Sequence, residues 1–146
     1  MIKIELIARS LIIAVTTLCI CQIFKVIFYS IKNKSLEWHY LISPGGMPST
    51  HSAFVTSLAF SIGFLKGFDT ELFAVSFVFA GIIVHDSFRL RGTVGIHSRI
   101  LKSISHLIPE EKKEDIPLLV GHTFPEIIAG VFIGIISAFI LKFIFI

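Results

Sequence analysis

Charged side chains are scarce in this chain. Asp, Glu, Lys and Arg make up 16% of its 146 residues, against 54% apolar, and the mean hydropathy is +0.87. Soluble domains carry about a quarter charged residues. The composition therefore excludes an ordinary water-soluble globule and points to an integral membrane protein of one domain, residues 1–146. Cysteine is nearly missing too. Cys19 and Cys21 are the only two, and their spacing puts them on different sides of a helix, which excludes a mutual disulfide or a thiolate metal pair. The first apolar run is long and no small-residue cleavage site follows it, so a cleavable leader is not expected. The net charge of +3 is modest and clustered, and no nucleic-acid partner is expected. His85, His97 and His106 add imidazoles, but at spacings that match no closed site. Neither a metal nor a cofactor is expected.

Long apolar runs are what the chain has instead. A membrane helix needs roughly 20 mostly apolar residues. Leu6 to Ser30 qualifies, interrupted by Arg9, Gln22 and Lys25. Gln22 and Lys25 share one helix face. Lys25 is either a functional cation held at depth or a side chain that snorkels to the interface. Trp38 and Tyr40 in the basic connection that follows suit a headgroup zone. A second helix is expected from about Ser49 to Leu65, with a small-residue stripe of Ser52, Thr56, Ala59 and Gly63. A third is expected from about Leu72 to Val84, ending in His85-Asp86. Both are short for a full span. The Ile96–Ile108 segment repeats apolar residues at helical spacing, with Arg99, Lys102 and His106 opposite, which predicts an amphipathic helix in the interface. A fourth membrane helix is expected from Thr123 onward, with Gly130, Gly134 and Ala138 as a close-packing seam. The fold class is thus an all-α membrane bundle of about four membrane helices plus one interfacial helix.

Two polar knots interrupt this apolar background. Pro44-Gly-Gly-Met-Pro-Ser-Thr-His-Ser52 is the longest run without an aliphatic residue, and it feeds directly into the second helix. Ser49, Thr50 and His51 fall in the cap and first turn, where free backbone N–H groups and the positive dipole end favour an anion. The alternative is an ordinary capped start with a solvent-facing histidine. Gly121-His122-Thr-Phe-Pro-Glu126 introduces the fourth helix in the same way. Glu126 lies one turn after His122 and could fix its tautomer. Equally, Thr123-x-x-Glu126 is a capping box with proline at an early helical position. Counting crossings brings Lys25, Ser49, His51, Asp86, Arg89, Arg91, His122 and Glu126 to one membrane face. Two histidines with arginines and backbone donors around an anion make a phosphoryl-transfer constellation.

At these residues the chain resembles a known family. Gly45-Gly-Met-Pro-Ser-Thr-His-Ser-Ala53, the segment from Asp86 to Gly95, and Gly121-His-x-x-x-Glu126 look like the divergent branch of the type-2 phosphatidic acid phosphatases. That superfamily also includes acid phosphatases and vanadium haloperoxidases. The resemblance implies a bacterial plasma-membrane enzyme that acts on a lipid phosphate or pyrophosphate. His122 would be the nucleophile, His51 the general acid, and Glu126 the group orienting His122. Gly46, Ser49, Thr50, Lys25, Arg89 and Arg91 would bind phosphate, with Asp86 orienting an arginine. The pattern also departs from the family. Lys25 alone remains of the Lys-x6-Arg-Pro motif, Ile116 stands where an arginine is usual, Gly92 replaces the second of a double arginine, and Arg89 takes a position that usually holds glycine. The rival reading is a non-catalytic membrane protein that binds phosphate or phospholipid headgroups. Lysine and arginine crowd the motif face, which the positive-inside rule would make cytoplasmic, although a phosphate site needs several of those charges anyway.

Overall fold

The computed structural model describes residues 2–41, 46–104 and 123–145, with backbone only for residues 2–8, 39 and 90–92. Four α-helices and one short 3-10 turn carry the chain: α1 Ile2–Asn33, the turn Trp38–Leu41, α2 Thr50–Lys66, α3 Glu71–Ile104 and α4 Phe124–Ile144. The bundle is all-α among the described residues. Three of the helices are long and apolar enough to cross a membrane, namely Arg9–Asn33 within α1, Glu71–Ile104 and Phe124–Ile144.

The second helix is not among them, and its place explains why. At 17 residues it is about 26 Å long. It lies at the centre of the bundle, packed on α1, α3 and α4, whereas α1 and α3 do not meet among the described residues. Ten of its residues are buried, mostly Ser, Thr, Ala and Gly. A helix covered by neighbours on three sides needs small side chains rather than a lipid-facing apolar surface.

The two small-residue seams meet each other. A Cβ on Gly130 would collide with the Ser49 carbonyl, and one on Gly134 would stand 2.7 Å from the Ala53 carbonyl and 2.9 Å from Thr56 Cβ. The α4 backbone therefore lies directly on the first turns of α2. On the other side of α2, Val55 and Ala59 pack on Ala80 with Ile83 and Val84 of α3. Towards the far end, Ile13 of α1 packs with Ala138 and Leu141 of α4.

The third helix differs from expectation. It continues through His85-Asp86 and absorbs the basic amphipathic stretch as far as Ile104, so the 96–104 segment is the distal part of α3 rather than a separate interfacial helix. Nothing between Val84 and Ile96 breaks a helix. There is no proline, and Gly92 and Gly95 cost only about 1 kcal/mol each in a helix interior. The remainder of that amphipathic segment and the mixed-charge Glu110–Asp115 stretch lie outside the described residues.

Candidate functional site

Three polar side chains on one face of α1 hold the segment that enters α2. Gln22, Lys25 and Tyr29 are spaced by three and four, so they line one stripe. Gln22 Nε2 donates to the Leu41 carbonyl at 3.1 Å. Lys25 Nζ donates to Thr50 Oγ1 at 3.2 Å. The Tyr29 hydroxyl accepts from the Met47 backbone N–H at 3.3 Å. The Tyr29 ring also stacks face to face on Tyr40, with centroids 4.1 Å apart and planes 9° from parallel. Burial there, together with the Tyr29 phenol and the Glu37 carboxylate, pushes the Tyr40 phenol above its ordinary value, so it stays neutral at physiological pH. Gly46 follows at φ +80°, and a Cβ there would stand 3.0 Å from the Tyr29 hydroxyl. This position needs glycine for both its backbone conformation and the close approach.

Lys25 is completely buried (0% exposed). A lysine removed from water at that depth needs polar partners, and it does not snorkel. Thr50 Oγ1 is one partner, and the Glu126 carboxylate lies close enough to act on its charge. Ser49 is the N-cap of α2. Its hydroxyl accepts from the Ser52 N–H at 3.4 Å and stands 3.0 Å from the Ser52 hydroxyl, and both residues are buried. His51, in the first turn of α2, is exposed.

The second knot joins this one through the backbone. Ser49 N–H donates to the Glu126 carbonyl at 2.9 Å. Glu126 Oε2 accepts from the Thr123 N–H at 3.0 Å, the reciprocal arm of a capping box, with proline in the first turn. The capping role read from Thr123-x-x-Glu126 is therefore present. His122 lies outside the described residues, as do Pro44 and Gly45 of the first motif.

The third helix returns to the same end. Phe88 meets Phe124 edge to face at 5.6 Å, so the Asp86–Arg89 turn of α3 stands beside the start of α4. Arg89 is exposed. Asp86 Oδ1 lies 3.7 Å from His85 Nδ1. Asp86 was expected to orient an arginine, and of the two candidates Arg91 has its side chain outside the described residues. Lys25, Ser49, Thr50 and Glu126 are thus brought together, with Gly46 and His51 beside them in the entering loop and the first turn of α2, and Asp86 and Arg89 at the same end of the bundle. Among the described residues no group of three His, Cys, Asp or Glu is arranged to hold a metal.

The sequence reading missed Tyr29. The signal was available, because a polar or amphipathic residue at every third or fourth position from Gln22 marks one face of an otherwise apolar helix.

Comparison with known proteins gives the family. The family model described as "Divergent PAP2 family" matches residues 6–137. The chain belongs to the Divergent PAP2 family. The match runs from α1 through both polar knots and most of α4. The chain is also 31% identical, over 138 residues, to a protein of Bacillus subtilis (strain 168) named "Uncharacterized membrane protein YuiD", with 85% of this chain and 87% of the relative covered. Together with three candidate spans, these findings make this member of the Divergent PAP2 family a membrane protein. No solved structure matches the chain.

Proposed function

We propose that this membrane protein is a phosphatase that hydrolyses a lipid phosphate or pyrophosphate through a phosphohistidine intermediate. The observation that carries the reading is the buried Lys25, whose ammonium reaches Thr50 at the N-terminus of α2. An ammonium and a helix N-terminus aimed at one place favour a multiply charged anion. Ser49 and Thr50 add hydroxyls, and Arg89 and Arg91 lie on the helix that returns to this end.

The chemistry divides between the two histidines. A ring nitrogen of His122 attacks phosphorus, and the bond from phosphorus to the leaving oxygen breaks as His51 gives that oxygen a proton. Water then attacks the phosphohistidine, the P–N bond breaks, His51 takes the proton from water, and inorganic phosphate leaves. Glu126 bears on this through charge and through the backbone turn it caps. A site at the end of the bundle lets an amphiphile present its headgroup while its tail stays in lipid.

The test is phosphate release from a panel of lipid phosphates by the purified protein in detergent with EDTA present, comparing wild type with His122→Ala and His51→Ala. Release by wild type, none by His122→Ala and strongly reduced release by His51→Ala is the expected result. Full activity in His122→Ala sinks the mechanism. The second reading, a non-catalytic binder of phosphate or phospholipid headgroups, is favoured by Ile116 and Gly92, which stand where related phosphatases carry arginine. Orthovanadate binding with no phosphate release from any lipid supports it.

A further inference from the structure

Tyr29 performs none of the chemistry above, yet it touches the motif loop at two points. Its hydroxyl accepts the Met47 N–H at 3.3 Å, and the same hydroxyl lies where a Cβ on Gly46 would come within 3.0 Å. Its ring is in turn fixed by the parallel stack on Tyr40, and Tyr40 belongs to the 3-10 turn that Gln22 ties to α1 through Leu41. The loop between Gly46 and Ser49 thus has a rigid aromatic wall on one side and the buried α2 cap on the other. Only Pro48 separates Met47 from that cap, and the cap in turn leads into the Thr50 hydroxyl that Lys25 grips.

We propose that Tyr29 is a positioning residue for the anion site: through its hydrogen bond to Met47 and its packing on Gly46 it holds the Gly46–Ser49 backbone in the conformation that presents the α2 N-terminus to a tetrahedral oxyanion. This deepens the phosphatase reading and rests on its anion site, though not on turnover. A loop held in its bound conformation beforehand loses less entropy when the anion arrives. Removing the Tyr29 hydroxyl therefore weakens binding without touching the anion itself. The ring, which supplies the stack and the packing, stays in place in Tyr29→Phe. Nothing lies within 4 Å of a Cβ on Gly81 of α3, so Gly81→Ala serves as the control away from the loop.

The experiment uses the full chain in detergent and orthovanadate as the probe. Its dissociation constant is measured for wild type, Tyr29→Phe, Gly81→Ala, Gly46→Ala and the double variant Tyr29→Phe/Gly46→Ala, beside each thermal unfolding midpoint. Tyr29→Phe should weaken binding roughly 3- to 10-fold, the size of one net hydrogen bond, with its midpoint unchanged. Gly81→Ala should stay within twofold of wild type. The double variant should lose less affinity than the product of the two single losses, because both changes disturb the Tyr29–Gly46 contact, while Gly46→Ala also strains the backbone at φ +80°. Where a lipid substrate is in hand, KM should rise in Tyr29→Phe while kcat holds.

Vanadate affinity in Tyr29→Phe within twofold of wild type overturns the proposal, as do losses in the double variant that simply multiply. Wild type that binds no vanadate overturns it as well, since there is then no anion for the loop to meet. Wild type that binds vanadate, loses affinity in Tyr29→Phe and releases no phosphate upholds the role of Tyr29 while sinking the phosphatase reading.

Discussion

The backbone N–H of Ser49 donates to the carbonyl oxygen of Glu126 across 2.9 Å. One bond joins the two polar knots, 77 residues apart in the chain. It also explains the glycine beneath it. One turn further along α4, Gly130 leaves room for the Ser49 carbonyl, where any Cβ would collide. The cap of α2 and the first turn of α4 are built as a single unit by that backbone contact, and the Gln22, Lys25 and Tyr29 side chains hold the segment from the α1 side.

Gly130→Ala and Gly134→Ala should each destabilise the bundle by about 1–3 kcal/mol, the usual cost of overpacking a close interface. Their added methyls meet backbone and Cβ atoms of α2, which cannot swing away. Gly130→Ala should also lower anion affinity, because the displaced atom is the carbonyl of the cap residue itself. Gly81→Ala is the contrast. Nothing lies within 4 Å of its Cβ, so the better helix propensity of alanine should leave it neutral or up to about 1 kcal/mol more stable. Denaturation in detergent, with vanadate binding alongside, checks all three.

Lys25→Met should lower both function and stability, by different amounts. The apolar side chain removes the desolvation cost of a buried cation, but it leaves Thr50 Oγ1 and the Glu126 charge without their partner. Stability should therefore fall by about 1–3 kcal/mol. Anion affinity should fall tenfold or more, since a charge-assisted contact contributes about 1.5–3 kcal/mol. A variant that unfolds while its residual folded fraction binds vanadate normally would make Lys25 a structural residue only.

The fold was legible where a residue's role follows from its spacing. The small residues Ser52, Thr56, Ala59 and Gly63 on α2 and Gly130, Gly134 and Ala138 on α4 announced close packing, and the structure packs Gly130 and Gly134 on α2 at Ser49, Ser52, Ala53 and Thr56, whereas Ala59 meets Ala80 of α3, Gly63 meets Phe68 and Ala138 meets Ile13 of α1. The meeting of the two knots followed from counting helix crossings. Two things did not follow. The amphipathic stretch after Arg91 looked like a separate helix because its polarity changes there, but polarity describes the surroundings of a helix and does not end one. The grip of Tyr29 on Met47 and Gly46 depends on how a loop folds back on α1, and no periodicity encodes that path.

Glu126→Gln should divide the two roles of this carboxylate. Glutamine keeps an acceptor for the Thr123 N–H, so the cap survives and stability should stay within about 0.5 kcal/mol of wild type. The negative charge that acts on Lys25 is lost. Phosphate release should therefore fall tenfold or more if the charge serves the reaction. Glu126→Ala removes the cap as well and should cost about 1 kcal/mol of stability in addition. Equal activity in Glu126→Gln and wild type would leave the residue as a cap alone.

Lys142 marks the opposite end of α4 and provides the test of whether the two ends act independently. Its ammonium lies 4.6 Å from the Phe64 ring centroid, 4.5 Å from Phe139 and 4.8 Å from Phe143. These rings belong to a cluster that continues through Phe60, Phe68 and Phe73 around the α2–α3 turn. Lys142→Met keeps the apolar stem and removes the cation, so stability should drop by about 0.5–2 kcal/mol, the range for cation–π contacts. Sixteen residues of helix, about 24 Å, separate it from Glu126. Vanadate affinity should consequently match wild type at temperatures where the variant is folded. A loss of affinity there would mean that the aromatic end sets the position of α4 at the site, and that the bundle transmits a change along its whole length.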